Sequence, residues 1–275
     1  MVGVKAFAFA GIAALVTTAA NAADMPGLPP LELPPIEEFA HGWYLRGDIG
    51  MSNQQLKKLD SVSFTAGTEF LDKGGFDSAP IFGLGLGYQF NSWLRLDITG
   101  EYRGKAGFRA LDRAPNGGSP TGFQTNEYTG SKSEWTFLFN AYADLGTWYN
   151  ITPFIGFGAG ASYNRIHHFR DVAVPVSGVA YAEPAGKWDF AWAMHAGLAY
   201  SVSRNFTVEM SYRYISLGDA MSGDTITYLG QNSVYNPMHF KGITSHDLRL
   251  GLRWLLDTQP PSQTYYPAPP LMRRG

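Results

Sequence analysis

The chain has no cysteine and almost no net charge, and beyond its N-terminal stretch it has no apolar run long enough to cross a bilayer as a helix. Each absence excludes something. Without cysteine an exported chain has no disulfide framework and must be held by a packed core, a bilayer or self-association. A formal charge of -2 and a pI near 6.3, with Lys and Arg scattered rather than clustered, give no electrostatic footprint for nucleic acid. A spanning helix needs roughly 20 consecutive apolar residues, so a helical membrane bundle is excluded as well.

Aromatics and glycine are abundant instead: 18 Phe, 15 Tyr, 7 Trp and 32 Gly. Aromatic and β-branched residues favour strands, and glycine allows close approach across a sheet. A soluble β-sandwich would share this composition, so the order of residues has to decide.

Order along the chain first sets a compartment. Lys5 precedes an apolar, Ala-rich run from Ala6 to Val16, and Ala20-Asn21-Ala22 supplies small residues where a secretory signal is cut. Residues 1–22 are therefore expected to be a signal peptide, with Ala23 opening the mature chain. Residues 23–42 carry Pro26, Pro29, Pro30, Pro34 and Pro35, and residues 257–275 carry Pro260, Pro261, Pro267, Pro269 and Pro270. Proline-rich stretches cannot join a ladder, so both read as extended periplasmic segments flanking a folded region at 43–256.

That region alternates apolar and polar residues in eight stretches. In the first, Trp43, Leu45, Ile49 and Met51 oppose Tyr44, Arg46 and Asp48. In the next pair, Phe82, Leu84, Leu86, Tyr88 and Phe90 oppose Gly83, Gly85, Gly87 and Gln89; then Leu94, Leu96, Ile98 and Tyr102 oppose Arg95, Asp97, Thr99, Glu101 and Arg103. Period-2 alternation marks strands, and five consecutive polar positions on one side rule out an ordinary apolar core there. Further strands are expected near 132–144, 152–164, 188–201, 206–217 and up to Trp254, where Leu248, Leu250 and Leu252 oppose Asp247, Arg249 and Arg253. Each approximates the 9–11 residues of a tilted membrane strand.

Connections alternate in length. Those at 91–92, 145–150 and 203–205 are short, and those at 54–77, 104–130, 165–187 and 218–243 are long and rich in Gly, Ser, Asn and Asp. Short periplasmic turns and long external loops are the outer-membrane arrangement, which puts both termini in the periplasm. The predicted fold is an all-β, eight-stranded, antiparallel up-and-down transmembrane barrel with four long external loops. Its aromatic girdle is expected at Trp43, Phe90, Trp93, Trp148, Tyr149, Phe206 and Trp254 on the short-turn rim, and at Tyr163, Trp188, Tyr214 and Tyr128 on the other.

With this eight-strand grammar, with Gly42-Trp43-Tyr44-Leu45-Arg46-Gly47-Asp48-Ile49-Gly50 at the start and Leu248-Arg249-Leu250-Gly251-Leu252-Arg253-Trp254 at the end, the chain resembles the porin-family small outer-membrane β-barrels of Gram-negative bacteria, the OmpA/OmpX-type group that includes surface antigens. The resemblance covers about 43–255. It implies an outer-membrane barrel in contact with lipid and lipopolysaccharide, inserted by the barrel-assembly machinery, with an unknown loop-mediated surface partner and no cofactor or metal. The chain departs from the usual ending, in which an aromatic residue closes both strand and chain, because residues 257–275 follow Trp254.

Eight strands enclose a lumen just wide enough for side chains to fill. The inward charges Arg46, Asp48, Arg95, Asp97, Glu101, Arg103, Glu209, Arg213, Asp247, Arg249 and Arg253 mix both signs, so they are expected to pair and plug the barrel; a narrow channel through them is the alternative. The glycine triplets at 83–87 and 156–160 fall on every second residue and lack the Gly-x-Gly-x-x-Gly loop of nucleotide sites, so they are expected to make room for bulky lumenal neighbours.

A lipid-modifying enzyme is the third reading. His167, His168, His195, Ser245, His246 and Asp247 are its candidates, but no nucleophile and base converge in the pattern, and the expectation is no catalysis. His167 and His168 read as a solvated pair at a loop base, His195 as an isolated inward residue and His246 as lipid-facing. The external segments, with Arg109, Asp112, Arg113 and Pro115 in the second and Tyr228 and Tyr235 in the fourth, hold most of the freedom for a specific contact.

Overall fold

The computed structural model describes residues 42–174, 178–230, 232 and 234–256; the expected signal peptide, the proline-rich linker before residue 42 and the tail from 257 lie outside them. Twelve strands follow in order: β1 (Gly42–Gln55), β2 (Lys58–Asp60), β3 (Glu69–Phe76), β4 (Ala79–Gln89), β5 (Leu94–Pro115), β6 (Phe123–Asp144), β7 (Ile151–Val174), β8 (Gly178–Ala182), β9 (Ala185–Ser201), β10 (Phe206–Met221), β11 (Thr225–Thr227) and β12 (His239–Leu255). Eight of them, β1, β4, β5, β6, β7, β9, β10 and β12, pair antiparallel with their neighbours and close into a ring, the last bond being β12 to β1. The four short strands extend the wall, β2 on β12, β3 on β5, β8 on β7 and β11 on β8.

The strand pattern also dictates the turns. At the β6–β7 turn, Trp148 and Ile151 exchange backbone hydrogen bonds at 2.9 Å, and the two residues between them, Tyr149 and Asn150, both take positive φ, 50° and 65°. Positive φ at both central positions is the twist that matches right-handed strands in a tight hairpin.

The membrane-facing wall is apolar. Leu45, Ile49, Leu84, Ile98, Phe139, Phe157, Met194, Met210 and Leu250 all point outward and are exposed. Trp43, Phe90, Trp93, Trp148, Tyr149 and Trp254 ring the short-turn end, with Phe206 half-buried beside them. At the other limit Trp135, Trp188 and Tyr212 are exposed, and Tyr163 and Tyr214 are half-buried.

Above that limit the expected loops are largely wall. β5 and β6 are 22 residues each and β7 is 24, twice the length expected, so only 116–122 remains to connect β5 to β6. A collar of bulges, staggered in the register, interrupts the alternation there. Between Arg103 and Ala106 of β5, at His168 of β7 (φ 51°) and around Gly218 of β10, one strand carries an extra residue against its partner. An extra residue reverses which parity faces inward. On β5 the inward residues are odd up to Arg103, then even: Ala106, Phe108, Ala110, Asp112 and Ala114 are buried, while Lys105, Arg109 and Arg113 face out and are exposed.

The bulge collar therefore marks a reversal of polarity. Below it the wall is apolar outside and charged inside; above it the wall is polar outside and apolar inside, as in a soluble barrel. Two expectations are corrected here. Tyr128 is 2% exposed and belongs to the interior rather than the outer girdle, and Asp112, expected in a solvated loop, is fully buried. Both follow from strands continuing where a loop was expected.

Candidate functional site: the barrel lumen

The inward face of the membrane-spanning part assembles one chain of ion pairs. From the short-turn end, Asp144 accepts from Arg95 Nε at 3.1 Å, and Arg95 reaches Glu209 at 2.8 Å. Arg46 lies 3.5 Å from Glu209 and binds Asp48 with two nitrogens, at 2.8 and 3.0 Å. Arg249 bridges Asp48 (3.0 Å) to Glu101 (2.8 Å). Arg213 grips Glu101 through both terminal nitrogens, at 2.8 and 2.7 Å, and its Nε donates to Asp247 at 2.9 Å. Arg103 takes Asp247 in a second bidentate pair, 3.0 and 2.6 Å, and reaches Glu134 at 3.0 Å; Glu134 then pairs with Lys132. Asp97 joins as a branch on Arg46 at 2.8 Å, and Arg253 as one on Glu209 at 3.5 Å.

The sign alternates at every rung, and the cations of this set equal the anions in number. Alternation matters energetically, because a buried charge is tolerable only when its partner and further hydrogen bonds replace water. Bidentate Arg–carboxylate pairs supply that geometry. All eleven inward charges expected from the sequence stand in this network, and three residues outside that set join it: Asp144, Glu134 and Lys132. Lys132 and Glu134 both lie on the inward parity of β6, within the strand expected at 132–144.

Room for the ladder comes from glycine. Gly87 is registered with Tyr44, and a Cβ placed there would stand 2.3 Å from Tyr44 Cζ and 2.6 Å from the Leu96 carbonyl oxygen. Tyr44 is thereby free to lie across the β4 backbone, where its hydroxyl donates to Asp97 at 3.1 Å and Arg253 stacks 5.4 Å from its ring. Gly156 does the same for Tyr142, whose ring carries Arg95 at 4.5 Å.

Above the ladder the lumen is filled by hydrocarbon. Phe76, Phe108, Phe169, Phe240 and Tyr128 are buried together, with ring centres 5.0 Å apart for Phe108 and Phe240 and 5.3 Å for Phe76 and Phe108. Ile166, Leu217, Ile243 and alanines from β5, β9 and β10 complete the plug. Toward the loop end, Asp112 accepts from the Asn126 amide (2.7 Å) and the Tyr128 hydroxyl (2.8 Å). Asp171 lies near; burial first, then the Asp112 charge, pushes its carboxyl up to about 6.

The histidines do not converge. His195 is buried inside against the Tyr142 ring, 5.3 Å away, and His246 faces outward with its Nδ1 2.6 Å from the Tyr212 hydroxyl. Ser245 and Asp247 are taken up by the ladder, with Ser245 Oγ donating to Asp247 at 2.6 Å. His167 and His168 sit within strand β7 rather than in a loop, and His167 Nε2 lies 2.9 Å from Ser133 Oγ. Sequence spacing did not reveal that contact, because it runs diagonally between strands at a bulge. Among the described residues no hydrogen bond joins a carboxylate to the His167 ring, and no group of His, Asp or Glu is arranged to hold a metal.

Comparison with known proteins agrees with this architecture. A model of the outer membrane protein beta-barrel domain matches residues 10–252. An uncharacterized protein of Brucella abortus (strain 2308) is 30% identical over 88% of this chain and 95% of its own length. The outer membrane protein PagN of Salmonella typhimurium is 24% identical over 64% of this chain and 75% of its own. Among solved structures, OprG from Pseudomonas aeruginosa aligns with 79% of this chain and 98% of its own at 14% identity and a TM-score of 0.45. Neisserial surface protein A aligns with 78% and 97% at 15% identity and a TM-score of 0.40. With the family model covering most of its length and a relative at 30% identity spanning nearly all of both chains, the chain belongs to the outer membrane β-barrel family.

Proposed function

We propose that this protein is a closed, non-catalytic outer-membrane barrel with a structural and surface-interaction role. Its loop end faces outward and both ends of the chain are periplasmic. One observation carries the closed-lumen reading: the alternating ladder and the aromatic plug together occupy the interior along its length. Ions would have to break bidentate pairs and then cross hydrocarbon, and each step is costly. The orientation is supported by the contrast between tight turns at one end and extended wall at the other. Insertion would use the barrel-assembly machinery. Tyr228 (66% exposed) and Leu229 (84%) at the loop end offer apolar surface to a partner. Among the described residues no carboxylate bonds to the imidazole of the Ser133–His167 pair, which supports the non-catalytic reading.

The test is planar-bilayer conductance of refolded protein whose folding has been checked by heat-modifiable gel migration. The expected result is a folded barrel without reproducible steps. Steady single-channel steps that change on Arg249→Ala would sink the closed-lumen reading and make transport the function.

A further inference from the structure

Several cations on the outer wall above the membrane belt are neutralised. Lys241 and Lys58 share Asp60, Arg113 pairs with Glu69, and Lys187 pairs with Asp189. Four on the adjoining faces of β5, β6 and β7 are not: Lys105, Arg109, Arg165 and Arg170 are exposed and, among the described residues, have no acidic side chain within 4 Å.

The sheet register arranges these four in two tiers. Arg165 is paired with Ser133, and Lys105 lies in the bulge opposite the same serine, between the pairs Arg103 with Glu134 and Ala106 with Lys132. Four residues further up β6, Thr129 is paired with Arg109 on one side and Arg170 on the other. Each tier is thus a hydroxyl flanked by two guanidinium or ammonium groups. Between them His167, paired with Ser131, turns its Nε2 to Ser133 Oγ at 2.9 Å. Burial, then the charges of Lys105, Arg165 and His168, hold the His167 imidazole below its ordinary range. The acidic groups nearest in the sheet are Asp77, whose amide donates to the Gly107 carbonyl at 2.8 Å and whose carboxylate lies over Gly107 between Lys105 and Arg109, beyond ion-pair distance of either, and Glu127, one outward position beyond Thr129.

Height decides what would meet these groups. Trp135, exposed at the upper limit of the apolar belt, is two residues below Ser133 on the same face of β6. With about 3.3 Å of rise per residue and a strand tilt near 40°, the tiers stand roughly 5–15 Å above that ring, the depth of lipid headgroups. Paired cations and hydroxyl donors at that depth fit phosphate.

We propose that this face of β5–β7 binds the phosphates of an outer-leaflet glycolipid, with Lys105, Arg165 and Ser133 forming the lower tier and Arg109, Arg170 and Thr129 the upper. The proposal rests on the barrel standing in the outer membrane with its loop end outward.

The test uses the full chain refolded into phosphatidylcholine nanodiscs, with fluorescent bisphosphoryl lipid A as the probe. K105Q/R109Q/R165Q/R170Q is compared with K57Q/K73Q, which removes two other exposed cations without an ion partner. The four-site variant is expected to lose at least about tenfold in lipid affinity and the control to stay within about twofold. In the parent, lipid A should also raise the His167 titration midpoint. Should the four-site variant fail to migrate as a folded barrel, Arg165→Gln and Arg170→Gln singly are each expected to lose about threefold. Retention of binding by the substituted proteins overturns the proposal. So does displacement of the lipid by millimolar inorganic phosphate, which would make this a free-anion site, or equal loss of binding to a soluble sulfated polysaccharide, which would make it a polyanion surface. Failure of the parent to insert into phosphatidylcholine alone would count against the membrane reading rather than the patch.

Discussion

Lys132 Nζ lies 5.4 Å from the centre of the Phe76 ring, and that contact joins the two halves of the interior. Below it Lys132 is the last cation of the ladder, bound to Glu134 and to the Gln54 side-chain oxygen at 2.9 Å. Above it begins the plug. An ammonium over an aromatic face is a suitable boundary between a charged layer and a hydrocarbon one, because it satisfies the cation without a further carboxylate.

Breaking a rung should cost far more than the rung contributes. Arg213→Met leaves Glu101 and Asp247 each short of one buried partner, and a loss of about 3–5 kcal/mol in guanidinium unfolding is expected. The paired change R213M/E101M should recover part of it. Equal destabilisation by the single and paired substitutions would show that the ladder is not held by charge matching.

Glycine at 87 is a spatial requirement. Gly87→Ala would drive a methyl into the Tyr44 ring and the Leu96 carbonyl, and backbone cannot yield as a side-chain end does. A loss of at least about 1–3 kcal/mol is expected from overpacking. Gly47→Ala, whose nearest neighbour would be Leu84 Cδ2 at 3.7 Å, is the matched control and should be nearly neutral.

Parity above the collar can be tested by deletion. Removing Lys105 takes out the bulge residue and leaves Ala106 paired with Lys132, so the same residues stay inward. Removing Gly107 turns Phe108 and Asp112 outward and Arg109 and Arg113 inward. Limited trypsin digestion should leave the first variant protected at its loop end and cut the second rapidly. Equal protection of both would refute the parity reversal.

Asp171 makes the stability of the loop end depend on pH, with mild acid favouring the folded state. Its carboxyl is pushed up to about 6 by burial and by Asp112, whereas in the unfolded chain it titrates near 4. The folded state therefore holds an extra proton between those values. Stability of the loop end should fall as pH rises from about 4 to 6, by roughly 1–2 kcal/mol after allowing for partial exposure, and level off above that. Amide exchange around Phe169–Asp171 should show this slope in the parent and not in Asp171→Asn.

Much of this protein is legible one residue at a time. Wherever lipid lies outside and charge inside, alternation alone assigns the face, so Leu45 and Ile49 against Arg46 and Asp48, or Leu250 against Arg249, can be told apart without a structure. The glycines at 83, 85 and 87 similarly announce large neighbours across the lumen. The four long connections were not legible as wall, because the bulges at Lys105, His168 and Gly218 break the period that identifies a strand, and because the polarity of each face inverts there.

The sequence by itself determined the all-β barrel, its lipid face and the inward placement of most of its charges, since period-2 alternation is a local property that each strand carries alone. Only the tertiary structure decided which carboxylate meets which guanidinium, that Asp112 and Tyr128 are buried, and that Lys105, Arg109, Arg165 and Arg170 come together unpaired on one face. Those relationships depend on strand register and ring closure, which bring residues as far apart in the chain as Asp48 and Arg249 into contact. No period within a single strand encodes the offset between two of them.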